Sequence, residues 1–332
     1  MKNSLISRYG KLLDSIGLLL IEARKKAFVE VNLILVKTYW EIGKLVLEYE
    51  QNGKEKADYG SQLLSSLSHD LKLNYGKGFS KSNVYLMRLF YLKYPKFQTL
   101  SGKLSWSHYT ELLGVSEDLA RRFYEKECLN EKWSIRELRR QIDSLLFERL
   151  SLSKDKKEVL ALSKHGQIIT DEKALIKEPY VLEFLNIPET GSYSERELEQ
   201  KIIDNLQMFL LELGKGFTFV SRQYRITLDN KHYYIDLVFY HRILKCFVLI
   251  DLKIGKVVHE DIGQMNMYLN YFKEEEMTKE DHEPVGIILA ADRDNFLVKY
   301  ALGGLSNKLF VSKYQLYLPT KEELEQEIQR LI

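Results

Sequence analysis

Tyr233-Tyr-Ile-Asp-Leu-Val-Phe-Tyr-His241 is followed closely by Phe247-Val-Leu-Ile-Asp-Leu-Lys-Ile-Gly255. Both segments are apolar, aromatic and β-branched, so each reads as a strand of a packed sheet, with ionisable residues set inside the apolar run. Burying a carboxylate or an ammonium is costly unless the group is paired, protonated or held by a metal, so Asp236, Asp251 and Lys253 need a reason. Asp251 and Lys253 are two apart and share one face of a strand, while Asp236 lies on the preceding strand. Two carboxylates a few ångströms apart, with the carbonyl of residue 252 between them, offer oxygen ligands to a hard cation such as Mg²⁺. A lysine beside that cation can neutralise charge on a scissile phosphate, and the outline is that of a phosphodiesterase.

Position, not the triplet, carries this signal. An acid-x-Lys triplet also starts at Asp70, Asp155, Asp171, Glu199 and Asp229. Only Asp251 lies in an apolar strand directly after another strand bearing a lone aspartate. The plainer alternative is a buried Asp–Lys pair that merely orders the sheet. No Gly-x-Ser-x-Gly elbow or Walker loop is present to support other hydrolytic chemistry.

Outward from this core, Ser194 with Glu197 three positions later forms a capping box for a helix running to Gly214. Strands are expected over 217–228, 233–240 and 244–253, the first pair joined by the turn dipeptide Asp229-Asn230. A helix over 260–272, a strand over 284–291, a short helix, a further strand and a closing charged helix from Lys321 follow. Upstream, 5–50 reads as two long helices, and a third helix begins near Tyr59. Asn74–Ser80 is a glycine-bearing turn, and Ser80 caps a helix that stops at Pro95. Helix, glycine turn, basic helix is the outline of a helix-turn-helix. Tyr85, Phe90, Tyr91 and Tyr94 on that helix read as core. The expected division is a helical domain over 1–150, a connector over 151–190 and an α/β domain over 191–332.

Charge follows that division. The 332 residues carry 49 Lys and Arg against 47 Asp and Glu, yet residues 1–150 hold 25 against 18, a balance of +7, and the remainder 24 against 29, or −5. From Leu71 to Thr110 there are seven basic residues and no acidic one. Lys77, Lys81 and Arg88 are the candidates for contacts to DNA phosphates. An ordinary amphipathic helix with a solvated basic face is the competing reading. The two cysteines, Cys128 and Cys246, suggest neither a disulfide framework nor a zinc site, which fits a reducing cytoplasm. Ile16–Ile21 is too short to span a membrane and is followed at once by charge, so neither a signal peptide nor a membrane role is expected.

The array resembles the PD-(D/E)XK nuclease superfamily and, within it, the YhcG family. The likeness rests on Phe209-Leu-Leu-Glu-Leu-Gly-Lys-Gly-Phe217, Arg222-Gln-Tyr-Arg225, Tyr234-Ile-Asp-Leu-Val-Phe-Tyr-His-Arg242, Asp251-Leu-Lys-Ile-Gly-Lys256 and Gly263-Gln-Met-Asn-Met-Tyr-Leu269. Tyr39-Trp-Glu-Ile-Gly43, Tyr75-Gly-Lys-Gly-Phe-Ser80 and Leu104-Ser-Trp-Ser-His-Tyr109 resemble that family's helical N-terminal domain. The resemblance implies a restriction-endonuclease-like mixed β-sheet flanked by helices, and an Mg²⁺- or Mn²⁺-dependent DNA endonuclease. It assigns Asp236 and Asp251 to the two acidic motif positions and Lys253 to the motif lysine. Glu199 becomes the additional metal-site glutamate, with Glu195 one turn earlier on the same face. Gln264 and Tyr268, four apart on one helix side, resemble a Gln-x-x-x-Tyr pair that touches the site or the substrate. The family usually carries glutamate where this chain has Asp251, one methylene shorter. A dimer is expected, since cutting both strands of a duplex takes two sites; the alternative function is a silent nucleic-acid-binding or assembly protein that retains the fold.

Overall fold

The computed structural model describes residues 2–52, 57–96, 102–151, 156–188, 192–292 and 307–324. The chain divides into two compact units, one of residues 1–121 and 132–138, the other of residues 122–131 and 139–332. In the first, α1 (Lys2–Asn52) is one continuous helix where two were expected. No proline interrupts those residues. α2 (Ala57–Tyr75) and α3 (Lys81–Lys93) are joined through a turn in which Gly76 takes φ 95°. Ser80 caps α3, its side-chain oxygen accepting from the Asn83 N–H at 3.1 Å. α1 and α3 meet so closely at Gly43 that a Cβ there would stand 1.9 Å from the Met87 carbonyl oxygen. Only glycine permits that approach.

Val84, Met87 and Phe90 turn the inner stripe of α3 into the core, at the helical spacing the sequence displays. Phe90 and Tyr94 are buried as expected, whereas Tyr91 is half-buried and Tyr85 is exposed. α4 (Trp106–Gly114) adds Tyr109, whose ring lies 4.9 Å from that of Phe90. The indole N–H groups of Trp40 and Trp106 donate to the Tyr94 carbonyl and to Asn83 Oδ1, at 2.6 and 2.8 Å.

α5 (Asp118–Glu131) and α6 (Ile135–Asp143) carry residues of both units. The second unit continues with α7 (Leu146–Ser151) and α8 (Lys156–His165). Its centre is a six-stranded sheet of β1 (Tyr180–Val181), β2 (Phe217–Leu228), β3 (Lys231–His241), β4 (Cys246–Lys256), β5 (Val285–Asp292) and β6 (Lys308–Gln315). Their spatial order is β1-β6-β5-β4-β3-β2. β2, β3 and β4 are antiparallel, and β4, β5, β6 and β1 are parallel. The expected connector over 151–190 therefore supplies an edge strand, and Leu175, Tyr180, Leu182 and Leu185 are buried. The short helix expected between the last two strands lies outside the described residues, as does most of the closing helix.

The expected helix from Ser194 to Gly214 is two, α9 (Glu195–Asp204) and α10 (Leu206–Leu213). The break falls at Asn205, whose side-chain N–H donates to the Lys201 carbonyl at 2.9 Å and so competes with the helical ladder. The capping box at Ser194 is present, with Ser194 N–H donating to Glu197 Oε2 at 2.8 Å and Glu197 N–H to Ser194 Oγ at 3.2 Å. Leu198, Ile202, Phe209 and Leu213 press one sheet face against Leu237, Phe239, Ile250 and Leu252. α11 (His259–Tyr271) covers the other, with Ile262, Met265, Tyr268 and Leu269 on Leu249, Ile288 and Ala290. β5, covered on both faces, is apolar throughout its buried length, as a central parallel strand requires. Asp229 and Asn230, at φ 45° and 62°, form the tight turn between β2 and β3.

A buried charge cluster ties Arg140 and Arg149 to this sheet. The Glu212 carboxylate is fully buried and accepts from Arg149 Nη1 at 2.6 Å, Arg140 Nη1 at 3.1 Å and the Val181 N–H at 3.0 Å. Arg140 also donates to Glu183 Oε1 at 2.8 Å and the Val181 carbonyl at 2.9 Å, and Arg149 to the Pro179 carbonyl at 2.9 Å. Lys177 donates to the Glu212 carbonyl, and burial pulls its ammonium down to about 8. Burial would raise Glu212, but Arg149, Lys177 and Arg140 outweigh it and hold the carboxyl at about 2.

Candidate active site

β3 and β4 pair from His241–Cys246 as far as Leu237–Ile250 and then part. Beyond that point β3 keeps pairing with β2 and β4 with β5, so the two strands fork. The fork leaves the Leu252 N–H without a strand partner, and Asp236 Oδ2 accepts it at 2.8 Å. An aspartate is thus built into the sheet where a backbone carbonyl would otherwise stand. Asp251, one residue before, faces the same opening and is 6 % exposed. Lys253 Nζ lies 2.9 Å from Asp251 Oδ2 and 3.5 Å from Asp261 Oδ1 at the start of α11. Asp261 also caps α11, accepting the Val258 N–H at 2.9 Å.

α9 closes the opposite side. Glu199 is 6 % exposed, and its Oε2 accepts from Gln223 Nε2 at 2.7 Å. The same amide nitrogen donates to Asp236 Oδ1 at 3.0 Å, so Gln223 spans the two carboxylates. Glu199 Oε1 is buried with no hydrogen-bond partner. Glu195, one turn earlier, instead accepts the Ile254 N–H at 3.4 Å. An open cleft of about 820 Å³ lies before these groups, lined by Arg196, Arg222, Gln223, Glu199 and Asp236 among others.

Two elements of this geometry are unusual for a sheet. Gln223 takes φ 48° in the middle of β2, a left-handed conformation that costs a non-glycine residue on the order of 1–3 kcal/mol. The register between β2 and β3 also shifts between Phe219 and Ser221. In a regular strand Arg222 and Gln223 would point to opposite faces. Here both reach α9, Arg222 Nη1 donating to Gln200 Oε1 at 2.9 Å.

The electrostatics follow from crowding acids in a buried place. Burial, and after it the charge of Asp236, pushes Asp251 up to about 7. Asp236 is also raised, burial being the main cause and Glu199 adding to it. Burial alone would pull the Lys253 ammonium down, but Asp251, Glu195 and Asp261 reverse this and hold it above its ordinary value. Tyr268 is pushed up to about 12 by burial and then by Asp251 and Asp236. Its hydroxyl donates to the Tyr234 carbonyl at 3.0 Å, and Gln264 hydrogen-bonds it from the same helix side. Tyr268 is fully buried, so it supports the fork from below and does not reach the cleft.

Among the described residues, no three His, Cys, Asp or Glu side chains stand close enough to enclose an ion as they are placed. Gln223 and Lys253 hold the acids instead. The donor set nevertheless suits a hard cation: Asp236, Asp251 and Glu199 offer only oxygen ligands, one of them an orphaned buried oxygen.

The structure thus brings Asp236, Asp251, Lys253, Glu199, Gln264 and Tyr268 into one region. It does not bring together the basic residues of the first unit. Lys77 and Lys81 are exposed, but Arg88 Nε lies 2.5 Å from Glu50 Oε2 on α1. The acid-free window from Leu71 to Thr110 hid a partner contributed from outside it. Gln223, Arg222, Arg196 and Asp261 were not singled out from the sequence. The Arg222–Arg225 block flagged the place of the first two, but nothing in it signals a left-handed residue.

Comparison with known proteins places the chain. Residues 173–329 match the family model described as the YhcG PDDEXK nuclease domain, and residues 15–149 match the DUF1016 N-terminal domain. The curated protein "Putative nuclease YhcG" of Escherichia coli (strain K12) is 39 % identical over 354 residues, 97 % of this chain and 94 % of that protein. Among solved structures, a repair endonuclease from Pyrococcus abyssi is 22 % identical, covering 40 % of this chain and 50 % of that one, with a TM-score of 0.27. An EndoMS–dsDNA complex is 15 % identical, covering 41 % and 51 %, also with a TM-score of 0.27.

Proposed function

This chain belongs to the YhcG family of PDDEXK nucleases, and from that premise we propose that it is a DNA endonuclease dependent on Mg²⁺ or Mn²⁺. PDDEXK nucleases generally use divalent metal ions. The observation that carries the reading is the fork of β3 and β4, which presents Asp236 to a cleft lined by Glu199, with the Asp251–Lys253 pair beside it. Asp236, Asp251 and Glu199 would hold the cation. When bound, it supplies Lewis-acid activation and charge neutralisation at the scissile phosphodiester.

The chain's own groups do the rest. Asp236 is fixed by the Leu252 N–H, and Lys253 is kept charged by Asp251 and Asp261, so its ammonium is set to neutralise charge on the phosphate as it develops. Arg196 and Arg222, lining the cleft, are placed to grip neighbouring phosphates. Gln264 and Tyr268 stiffen the floor. The helical unit holds the duplex through Lys77 and Lys81, with Arg88 in a secondary role because Glu50 engages it. Leu13, Ile16 and Leu20, exposed at helical spacing on α1, provide the surface on which a second copy packs, giving two active sites per assembly. The setting is a reducing cytoplasm; no described helix is long and apolar enough to cross a membrane.

Purified chain incubated with plasmid, linear and branched DNA is expected to cut in Mg²⁺ or Mn²⁺ and to stop on chelation. Metal-independent nicking, or no cutting of any substrate, overturns the reading. A salt-dependent gel shift without cutting would instead identify a silent binder. Replacing Lys77 and Lys81 together by alanine is expected to weaken DNA binding uniformly across sequences and to reduce the salt slope by about 2, near 0.9 per contact. An unchanged slope would remove α3 from the DNA surface.

A further inference from the structure

Gln223 carries three features that packing does not require. It is left-handed at φ 48° inside β2, it donates to two acids on different elements, and the other oxygen of one of those acids is buried with no hydrogen bond. A left-handed non-glycine residue persists only where its surroundings over-determine it. The conformation has a visible effect: it turns Gln223 toward the fork although Arg222, its neighbour, also reaches α9.

Without that amide, Glu199 and Asp236 face each other as like charges with no donor between them. Glu199 would then keep only Arg222, whose Nε lies 3.9 Å from its buried Oε1. Gln223 holds the other oxygen, Oε2, against Asp236. Resting on the nuclease reading of this site, we infer that Gln223 is a positioning residue for the divalent cation, presenting Glu199 and Asp236 to one ion by bridging them with its side-chain amide. Neighbours that orient metal ligands typically change metal affinity about 10- to 100-fold when removed.

The test measures Mn²⁺ binding to the full-length, metal-stripped chain by calorimetry, with no DNA present. Gln223→Met keeps the side chain's length but removes the donor. Gln223→Gly also removes it, and relaxes the backbone, since glycine adopts φ 48° freely. Both variants are expected to bind Mn²⁺ about 10- to 100-fold more weakly than wild type. Cleavage at saturating Mn²⁺ is expected to stay within a few-fold, so that the metal concentration for half-maximal rate moves and the maximal rate does not. Wild-type Mn²⁺ affinity in either variant overturns the inference, and so does weakening in the methionine variant alone, which would assign the effect to packing. The glycine variant keeps the test decisive if the methionine variant fails to fold. Wild-type chain that binds Mn²⁺ in the way described but leaves all DNA intact overturns the nuclease reading and not the role of Gln223.

Discussion

Lys253→Ala is expected to lower the rate of DNA cleavage about 10²- to 10³-fold, the loss typical of removing one preorganised charge-stabilising group. The side chain is half-enclosed between Asp251 at 2.9 Å and Asp261 at 3.5 Å, so its ammonium is already oriented and needs no rearrangement when charge develops on the phosphate. Its removal also leaves Asp251 beside Asp236 without a cation. Mn²⁺ binding should therefore persist in Lys253→Ala, whereas Asp236→Ala, which deletes an acid and frees the Leu252 N–H, should lose both binding and cleavage. Parallel calorimetry and single-turnover cleavage distinguish the two. If Lys253→Ala cuts at the wild-type rate, the Asp251–Lys253 pair only orders the sheet.

Glu212→Gln should destabilise the second unit by about 3–5 kcal/mol, because it leaves Arg149 and Arg140 buried without their shared counter-charge. The surface pair Lys273–Glu283 is the control, and Glu283→Gln should change stability by about 0–1 kcal/mol. Trp40, Trp106 and Trp133 all belong to the first unit, so indole fluorescence will not report this loss. Amide hydrogen exchange in β4 and β5 will. The pH dependence has a definite sign. Glu212 sits at about 2 in the folded chain, below its ordinary value of 4.5, so its contribution is full above that ordinary value and is lost as pH falls toward 2. Equal exchange in wild type and Glu212→Gln across that range would show the cluster to be energetically neutral.

Much of this molecule can be read without coordinates. Capping at Ser80 and Ser194, the Asp229-Asn230 turn and the strands carrying Asp236 and Asp251 depend on local chemistry, and neighbouring residues specify them. Strand context also discriminates among the acid-x-Lys triplets: Asp70 lies in α2, Glu199 in α9 and Asp229 in a turn. Some of what the sequence does not show is set by distant residues. Arg140 and Arg149 are buried on Glu212, 72 and 63 positions later, in a block whose acid no local pattern explains. Arg88 looked unopposed because Glu50 lies outside its window.

The sequence by itself determined which residues could do chemistry here: an acid in each of two apolar strands, a lysine two positions on, and a helix bearing Glu195 and Glu199 on one face. Their periodicity and burial cost are properties of the chain alone. Only the tertiary structure decided how they meet. The point where β3 leaves β4, the choice of Glu199 over Glu195 beside Asp236, and the left-handed Gln223 between them depend on three elements packing at once. No window of sequence contains that geometry, because the energies that set it act across the sheet and not along the chain.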